Sequence, residues 1–369
     1  ADIQIRYNAY LGTATDAASA TYNQGGTGAS SRTIENKLQE SVSVLDFGAT
    51  GDGVTDDTAA IQAALTASKY VFIPAGTYIV TGITFQQVGQ VLVGETSTTS
   101  ILKLKASANT YVLDTNEKSQ IRIENLLLDG NRDNNTTSKG LRVYNSYYTT
   151  IKDIDIRYTD DYLVYGEHSY VVEAINLRCS HSDVSTNNKA IYLDVDCKHW
   201  DFIGGGVESI TGGSNYAIYS QGKNCTFSNM WIEWYQGDSV TGNEVGIYAN
   251  NTHNFVNNCE IKSSSTTVMG KGVHFAGSSN LCQAHNNSLG NITNPIYLEG
   301  NLRSRIIRQT SSDVTNVDAD NTTLIGWGAD LDATDLRVKS LYVSTNDGYT
   351  PSGEIDTSVP APIWHANCE

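Results

Sequence analysis

Residues 229–234 read NMWIEW, and the same arrangement returns as NCEIKS at 258–263 and as NNSLGN at 286–291. Each copy has an apolar residue at its fourth position, with more polar positions on either side of it. Apolar residues in similar settings recur every 21–30 residues, at Leu128, Ile156, Leu177, Val207, Ile232, Ile261 and Leu289. Repetition at intervals of this length indicates a solenoid, in which these residues point inward and every coil stacks on the preceding one.

A second apolar series keeps step with the first. Its members follow one another every 22–29 residues, at Leu141, Leu163, Ile191, Ile218, Ile247, Val273 and Ile296. Each unit alternates with period two rather than 3.6, which excludes helical repeats and predicts two short strands per coil. We therefore predict an all-β, single-stranded parallel β-helix of at least seven coils between about residues 70 and 300.

Asparagine marks a third repeating position, three residues before several of the inward residues. The series comprises Asn125, Asp153, Asn229, Asn258 and Asn286. Asn tolerates the left-handed backbone conformation and can hydrogen-bond its counterpart one coil away, so these residues are predicted to form a stacked turn.

The bulk composition excludes several classes of function. A formal net charge of −16 argues against nucleic acid or an anionic membrane as a partner. The sequence has no apolar run long enough to span a bilayer, and its opening ADIQIRYNAY does not read as a signal peptide. Its six cysteines lack metal-binding spacing and are expected to be buried free thiols.

The segment before the repeats predicts a cap for the solenoid. The aspartates of TDDTAAIQAAL, at 55–65, can cap a helix, and Ala60, Ile61, Ala64 and Leu65 form its apolar stripe. An uncovered solenoid end would expose its core and its unpaired strand edge, so this helix is expected to cover it.

The same segment resembles a known family. DFGATGDGVTDDTAAIQAAL, at 46–65, with FIPAGTYIV, at 72–80, is similar to the N-terminal signature of the pectate-lyase-like β-helix superfamily. SSRTIENKLQESVSV, at 30–44, resembles the corresponding segment of bacteriophage tailspikes, which degrade host polysaccharide. The resemblance implies a right-handed β-helix, a homotrimer and a place on the virion tail after assembly in the host cytoplasm.

This resemblance and the repeats together divide the chain into four parts. We expect residues 1–40 to form an attachment segment that contacts other tail proteins and residues 41–70 to form a capping helix and the entry to the β-helix. Residues 71–300 are expected to form the β-helix itself, and residues 301–369 a short non-repeating segment with a role in trimerisation.

Alternation along the strands places Trp231 and Glu233 outward on either side of the inward Ile232. An outward indole beside Gly206 offers a shelf for a sugar ring, or else a contact between subunits. Trp234, two residues past Ile232, is expected inside or at the corner of the coil.

Glu208 and Glu233 hold the same position on adjacent coils, about 4.8 Å apart. Arg178 and Lys262 are expected to flank them. One interpretation is a solvated run of charges; the other is an acid/base pair for glycoside hydrolysis, which needs no metal or cofactor. Arg178 would then orient a substrate carboxylate or hydroxyl.

The second strand series carries an outward line of rings, at Tyr192, Tyr219, Tyr248, His274 and Tyr297. The line can be cross-strand packing, a subunit contact or a track for polysaccharide, for which Tyr219 and Tyr248 are the candidate binding residues.

The resemblance and these residues together predict an enzyme that depolymerises bacterial capsule or O-antigen. Its catalytic pair would be Glu208 and Glu233, and its binding residues would be Trp231, Trp234, Arg178, Tyr219 and Tyr248. Two alternatives stay open: a lyase that removes a proton beside a uronate carboxyl, and an adhesin that binds polysaccharide without cleaving it.

Overall fold

The fold is known from a computed structural model of the chain. It describes residue 18 and residues 20–183, 189–211, 216–234, 242–264, 268–276, 279 and 281–298, and beyond them only short strands. The chain forms a right-handed parallel β-helix of about eight turns, as the repeats and the resemblance predicted.

One long sheet of the β-helix has nine strands within the described residues. Neighbouring strands in it are parallel and come from successive coils. In chain order they are Ile83–Thr84, Tyr111–Asp114, Lys139–Tyr144, Val164–Glu167, Lys189–Leu193, Tyr216–Ser220, Val245–Ala249, Met269–Phe275 and Ile292–Leu298.

The other long sheet has twenty strands within the described part of the chain, and it follows each coil around a bend. Its strands are Val42–Ser43, Asp52–Asp56, Tyr70–Ile73, Gly76–Val80, Val91–Gly94, Ser100–Leu104, Arg122–Glu124, Leu127–Asp129, Tyr147–Lys152, Asp155–Arg157, Tyr170–Asp183, Lys198–Thr211, Thr226–Ser228, Trp231–Trp234, Phe255–Asn257, Glu260–Ser263, Gln283–His285, Ser288–Gly290, Arg305–Ile307 and Thr323–Ile325. Two small pairs complete the strands, Thr21–Tyr22 with Arg32–Thr33 and Val317–Ala319 with Leu336–Val338.

The inward residues stack in the predicted register except at two coils. Val207, Ile232, Ile261 and Leu289 are successive Cα partners, and all four are buried. In the coil before them the partner of Val207 is Cys179 and not Leu177, which pairs with Gly205 at the bend. The prediction was wrong there because Leu177 fills the corner of the coil, and both residues are buried.

The second inward series contains the same kind of error. Val164, rather than Leu163, is the Cα partner of Leu141 and of Ile191. Both Leu163 and Val164 are fully buried, so apolar character alone could not distinguish the strand position from the residue before it.

The asparagine turn is confirmed. The five predicted members all have positive φ angles, and Asn176 joins them with φ 50°. Side chains bond from coil to coil: Asn286 Nδ2 donates to Asn258 Oδ1 at 2.8 Å, and Asn176 Nδ2 donates to Asp153 Oδ1 at 2.7 Å. Asn and Asp tolerate the left-handed backbone at this bend, and these hydrogen bonds satisfy their polar side chains.

The capping helix spans Thr58–Ala67, and its buried residues are Ile61, Ala64 and Leu65. Asp56 accepts hydrogen bonds from the Thr58 backbone and hydroxyl. Asp57 occupies the N-cap position but makes no capping bond; its carboxylate accepts instead from the backbone amides of residues 50 and 51. A second helix, Ile34–Leu38, and two 3₁₀ turns, Val44–Phe47 and Arg132–Asn134, complete the helical elements of the described chain.

Cys179, Cys197, Cys225, Cys259 and Cys282 are buried free thiols, as predicted, while Cys368 lies outside the described residues. No helix in the described part of the chain has the length and apolar character needed to cross a bilayer.

Of the predicted terminal segments, residues 1–17, residue 19 and most of residues 301–369 lie outside the described residues. Strands 305–307 and 323–325 nevertheless extend the twenty-stranded sheet past residue 300.

Candidate functional site

Two outward faces of the β-helix carry the candidate residues. The first, called here the tryptophan face, is formed by outward side chains around the strand Trp231–Trp234 and its neighbours. Glu208 and Glu233 are Cα partners on adjacent coils, as the sequence predicted. Trp231 is 46% exposed, so its outward orientation is confirmed.

Glu233 was expected to face solvent, but neighbouring side chains cover it. It is 4% exposed. Its Oε2 accepts a hydrogen bond from Trp231 Nε1 at 2.7 Å and lies 3.8 Å from Lys262 Nζ, while its Oε1 accepts from the Ser264 hydroxyl. Both carboxylate oxygens are therefore already engaged within the protein.

Trp234 lies inside the coil, one of the two positions expected for it, whereas Arg178 does not share the ladder of Glu208 as expected. Trp234 is only 2% exposed, so its ring packs in the core and offers no surface to a sugar. The inward residue in the coil of Arg178 is Cys179, so the register partner of Arg178 is Gly206 and not Glu208. Its guanidinium donates to Asp155 at 3.0 Å.

The second face, called here the tyrosine face, is the outward side of the nine-stranded sheet. Tyr165, Tyr192, Tyr219 and Tyr248 are successive Cα partners, and His274 continues the line. The rings of Tyr165 and Tyr192 stack at 5.2 Å, and those of Tyr219 and Tyr248 at 4.4 Å. Tyr219 and Tyr248 therefore lie in this outward line, as the sequence predicted.

A second line of side chains runs beside the first and alternates tyrosine with lysine. Tyr111 pairs with Lys139, and Lys189 pairs with Tyr216. Tyr162 lies with its ring 5.0 Å from that of Tyr165 and 5.6 Å from that of Tyr192. Lys189 Nζ lies 5.4 Å from the centre of the Tyr192 ring and 5.0 Å from that of Tyr219, and Lys139 Nζ lies 5.4 Å from that of Tyr111.

The ammonium groups of this face differ in environment. Lys139 Nζ lies 3.4 Å from Oδ2 of Asp161. Asp161 is 8% exposed, and its Oδ1 is one of the few buried side-chain atoms of the described residues without a hydrogen-bond partner. Burial raises the pKa of the Asp161 carboxyl, an effect that Lys139 opposes. Burial lowers the pKa of the Lys189 ammonium, and the negative charge of Asp161 offsets part of that change.

The tyrosine hydroxyls are held in their protonated form. Burial, together with the charge of Asp161, raises the pKa of Tyr162 to about 12. Burial and the charge of Glu167 raise the pKa of Tyr165 as well. Phenols with raised pKa values beside a lysine with a lowered one are the kind of arrangement found at sites of proton transfer.

The sequence interpretation missed Tyr165, Lys139 and Lys189. With Leu163 taken as the inward residue, Tyr165 fell outside the outward line; with Val164 inward, it is the next outward position. The signal that could have found it is the sequence YLVYG, at 162–166, whose second tyrosine aligns with the AIYLD of the next coil, at 190–194.

One group of described side chains has the composition of a metal site: His168, Asp194 and Asp196, whose potential ligand atoms lie within 4.8 Å of one another. Both imidazole nitrogens face a carboxylate, at 3.4 Å for Asp194 and 3.0 Å for Asp196. Asp194 also accepts hydrogen bonds from the backbone amides of residues 196 and 197. These contacts are those of a turn, and they are sufficient to explain why the three side chains lie close together.

Comparison with known families identifies the family of the chain. The model of the family "Rhamnogalacturonase A/epimerase, pectate lyase-like" matches residues 41–267, well over half of the chain. The protein belongs to this family.

Among curated relatives, two mannuronan C5-epimerases of Azotobacter vinelandii are similar over part of their length. AlgE5 is 37% identical over 123 residues, which are 28% of this chain and 12% of AlgE5. AlgE4 is 32% identical over 146 residues, 32% of this chain and 26% of AlgE4. The similarity thus spans a minor part of either relative.

Solved structures share the fold at low sequence identity. ORF18 of Geobacillus virus E2 superposes with a TM-score of 0.60 and 18% identity, covering 88% of this chain and 68% of that one. The enzymatically active domain of tailspike protein 2 of bacteriophage CBA120 gives 0.54 and 15%, covering 88% and 50%. The AlgE4 A-module of A. vinelandii gives 0.53 and 19%, covering 82% and 100%.

Proposed function

We propose that the protein modifies an anionic polysaccharide at the tyrosine face by removing the proton from C5 of a uronate residue. The observation that carries this proposal is the convergence of Lys139, Lys189 and stacked tyrosines on one outward surface. Such a surface combines flat rings for sugars with cations for carboxylates. The similarity to proteins named mannuronan C5-epimerases supports the choice of a uronate polymer.

Each residue of the site takes a role that suits its environment. Lys139, whose Nζ lies 3.4 Å from Asp161 Oδ2, can pair with the uronate carboxylate and stabilise the negative charge that develops on it. Lys189, whose charged form is disfavoured by burial, can lose its proton and act as the base. Tyr165 remains protonated and can act as the acid.

The reaction then has one first step and two outcomes. The C5–H bond breaks, its proton passes to Lys189 Nζ, and the electron pair spreads into the carboxylate. If Tyr165 returns a proton to the opposite side of C5, the sugar is epimerised. If the C4–O bond breaks instead, the electron pair forms a C4–C5 double bond, the leaving oxygen takes the tyrosine proton, and the polymer is cleaved by elimination.

The full chain incubated with mannuronan in D₂O tests this proposal. We expect deuterium at C5 by NMR, with ultraviolet absorbance of the C4–C5 double bond if elimination follows. Tyr165→Phe should lower the rate at least ~100-fold, the usual range for loss of a general acid. Tyr297→Phe, five coils further along the same line, is the matched control and should stay within about twofold. Full activity of Tyr165→Phe would show that the site is wrong.

Hydrolysis by Glu208 and Glu233 is the second candidate, favoured by their positions as Cα partners on adjacent coils. It predicts new reducing ends without deuterium at C5, and their complete loss in Glu233→Gln. The engagement of both Glu233 oxygens by other side chains makes it the weaker candidate. Binding of polysaccharide with neither product would instead indicate an adhesin.

The tail of a phage virion remains the proposed location, with a homotrimer as the assembly. Its support is the resemblance of residues 30–80 to the tailspike segment. Light scattering on the purified full chain should give three times its monomer mass, and antibodies against the chain should label the tails of the phage that encodes it. A monomer at all concentrations would contradict the trimer.

A further inference from the structure

Trp231 is the exposed tryptophan of the described residues, because Trp200 and Trp234 are both buried. It lies on the twenty-stranded sheet, while the tyrosine face lies on the nine-stranded one. The chemistry proposed above therefore gives this indole no role. Tryptophan is enriched at surfaces that bind a partner or ligand.

The indole is held in place by polar contacts around it. Its Nε1 donates to Glu233, which is itself fixed by the Ser264 hydroxyl. Lys262 Nζ lies 4.6 Å from the centre of the indole ring and 2.8 Å from Glu260. An aromatic side chain fixed before binding loses little conformational entropy when a ligand stacks on it.

The coil before Trp231 places no side chain beside the indole. Its partner in register is Gly206, where an added Cβ would lie 2.2 Å from the Trp231 carbonyl oxygen. Close approach of the two strands thus requires glycine, and the same glycine leaves the ladder position without a side chain. A Cβ on nearby Gly204 would meet open space.

Arg178 is the register partner of Gly206 on the coil before it. Its side chain is 51% exposed and shares Asp155 with Arg157, so two guanidinium groups face one carboxylate. About half of the Arg178 side chain is exposed, and its guanidinium can pair with a further carboxylate. Trp231 and Arg178 are two strand spacings apart, or ~10 Å.

We propose that Trp231, Gly206 and Arg178 form an anchoring site for an anionic polysaccharide, separate from the tyrosine face. One sugar ring stacks on the indole, and the carboxylate of a neighbouring sugar pairs with the Arg178 guanidinium. Glu233 is a positioning residue that fixes the indole. This inference rests on the proposed function only in taking a uronate polymer as the ligand.

Binding of mannuronan to the full chain tests the anchor, with neutral dextran as the uncharged comparison. All proteins carry Tyr165→Phe, so that the polymer is not altered during the measurement. We expect Trp231→Ala and Arg178→Ala each to weaken mannuronan binding about tenfold, as loss of ~1.4 kcal/mol implies. Trp231→Phe, which keeps a smaller ring, should weaken it less and controls for folding.

Tyr148→Ala is the matched control, since Tyr148 is 64% exposed and lies at another bend. It should bind within about twofold of the parent protein. In the protein with an intact tyrosine face, Trp231→Ala should raise KM for the polymer and leave kcat unchanged.

Unchanged binding by folded Trp231→Ala would overturn the anchor, and equal affinity for dextran and mannuronan would overturn the role of Arg178. Failure of the proposed function is a separate result, because it appears as full turnover by Tyr165→Phe. A loss of kcat in Glu233→Gln would favour the hydrolytic pair over a positioning role.

Discussion

The tyrosine face and the tryptophan face are built on the same stacked coils but use polar groups in opposite ways. On the tryptophan face, Glu233 is surrounded by donors that satisfy both of its oxygens. On the tyrosine face, Asp161 keeps a buried oxygen without a partner, and burial disfavours the charged form of Lys189.

This difference indicates where reactivity can arise in a ladder of equivalent positions. A carboxylate with all its hydrogen bonds made is stabilised in one state and serves to orient its neighbours. Groups whose usual ionisation is opposed by burial can exchange protons near neutral pH. The environment of each acid therefore says more about its chemistry than in-register pairing alone.

The largest effect expected to sharpen this comparison is on the pH dependence of turnover. A base must lose its proton, so the rate should rise with pH through the lowered pKa of Lys189, below the usual lysine value. In Lys189→Arg the guanidinium stays charged, so this rise should disappear and turnover should fall at least ~100-fold. Initial rates on mannuronan across the pH range measure both.

Lys271→Arg is the control for this substitution. Lys271 lies further along the same sheet, with Nζ 4.4 Å from the Tyr297 ring centre. Its pH profile should match that of the wild type. An unaltered profile for Lys189→Arg would remove Lys189 from the mechanism.

The next largest effect concerns the core that both faces share. Ile232 is fully buried between its partners Val207 and Ile261. Ile232→Ala should lower the free energy of unfolding by about 2–5 kcal/mol through lost contacts and a cavity. Ile203→Ala, at a position 39% exposed, should change it by less than ~1 kcal/mol. Denaturant unfolding decides, and equal losses would contradict the inward stacking of Ile232.

A smaller effect separates a positioning role for Glu233 from a catalytic one. Glu233→Gln replaces an acceptor of the Trp231 and Ser264 hydrogen bonds with a group that also donates, which should cost about 1–3 kcal/mol. Turnover at saturating polymer should stay near that of the wild type. Normal stability with abolished turnover would reverse the comparison of the two faces.

The smallest effect tests the bend that connects the strands. Asn258 has φ 53°, so Asn258→Ala should cost ~1–2 kcal/mol, from the left-handed backbone and from the lost bond to Asn286. Asn258→Gly keeps the backbone relaxed and should cost less. Thermal unfolding of the two variants provides the measurement, and a more stable alanine variant would contradict the explanation.

Much of the fold followed from residues that repeat. Ile232, Ile261 and Leu289 fixed the inward ladder because alternation leaves one face of a strand for the core. Asn229 and Asn258 identified the bend because few residues accept a left-handed backbone. The two errors, at Leu163 and Leu177, arose where consecutive or alternate apolar residues are both buried, so that burial did not indicate which one lies in the strand register.

The candidate site was less accessible to such reasoning. Glu208 and Glu233 were correctly paired, yet the Ser264 and Lys262 contacts that engage Glu233 come from the following coil, 29 to 31 residues away in sequence. Lys139, Asp161 and Tyr165 likewise come from different strands and loops, and a one-residue error at Leu163 concealed Tyr165.

Sequence reasoning could predict the stacked parallel coils, the inward ladder, the asparagine bend and the capping helix, because each depends on local alternation or on a local backbone preference. Only the tertiary structure decided which polar groups are satisfied and which are not. Burial and hydrogen-bond partners are set by side chains from neighbouring coils, so the reactivity of Glu233, Asp161 and Lys189 depends on contacts that no single repeat contains.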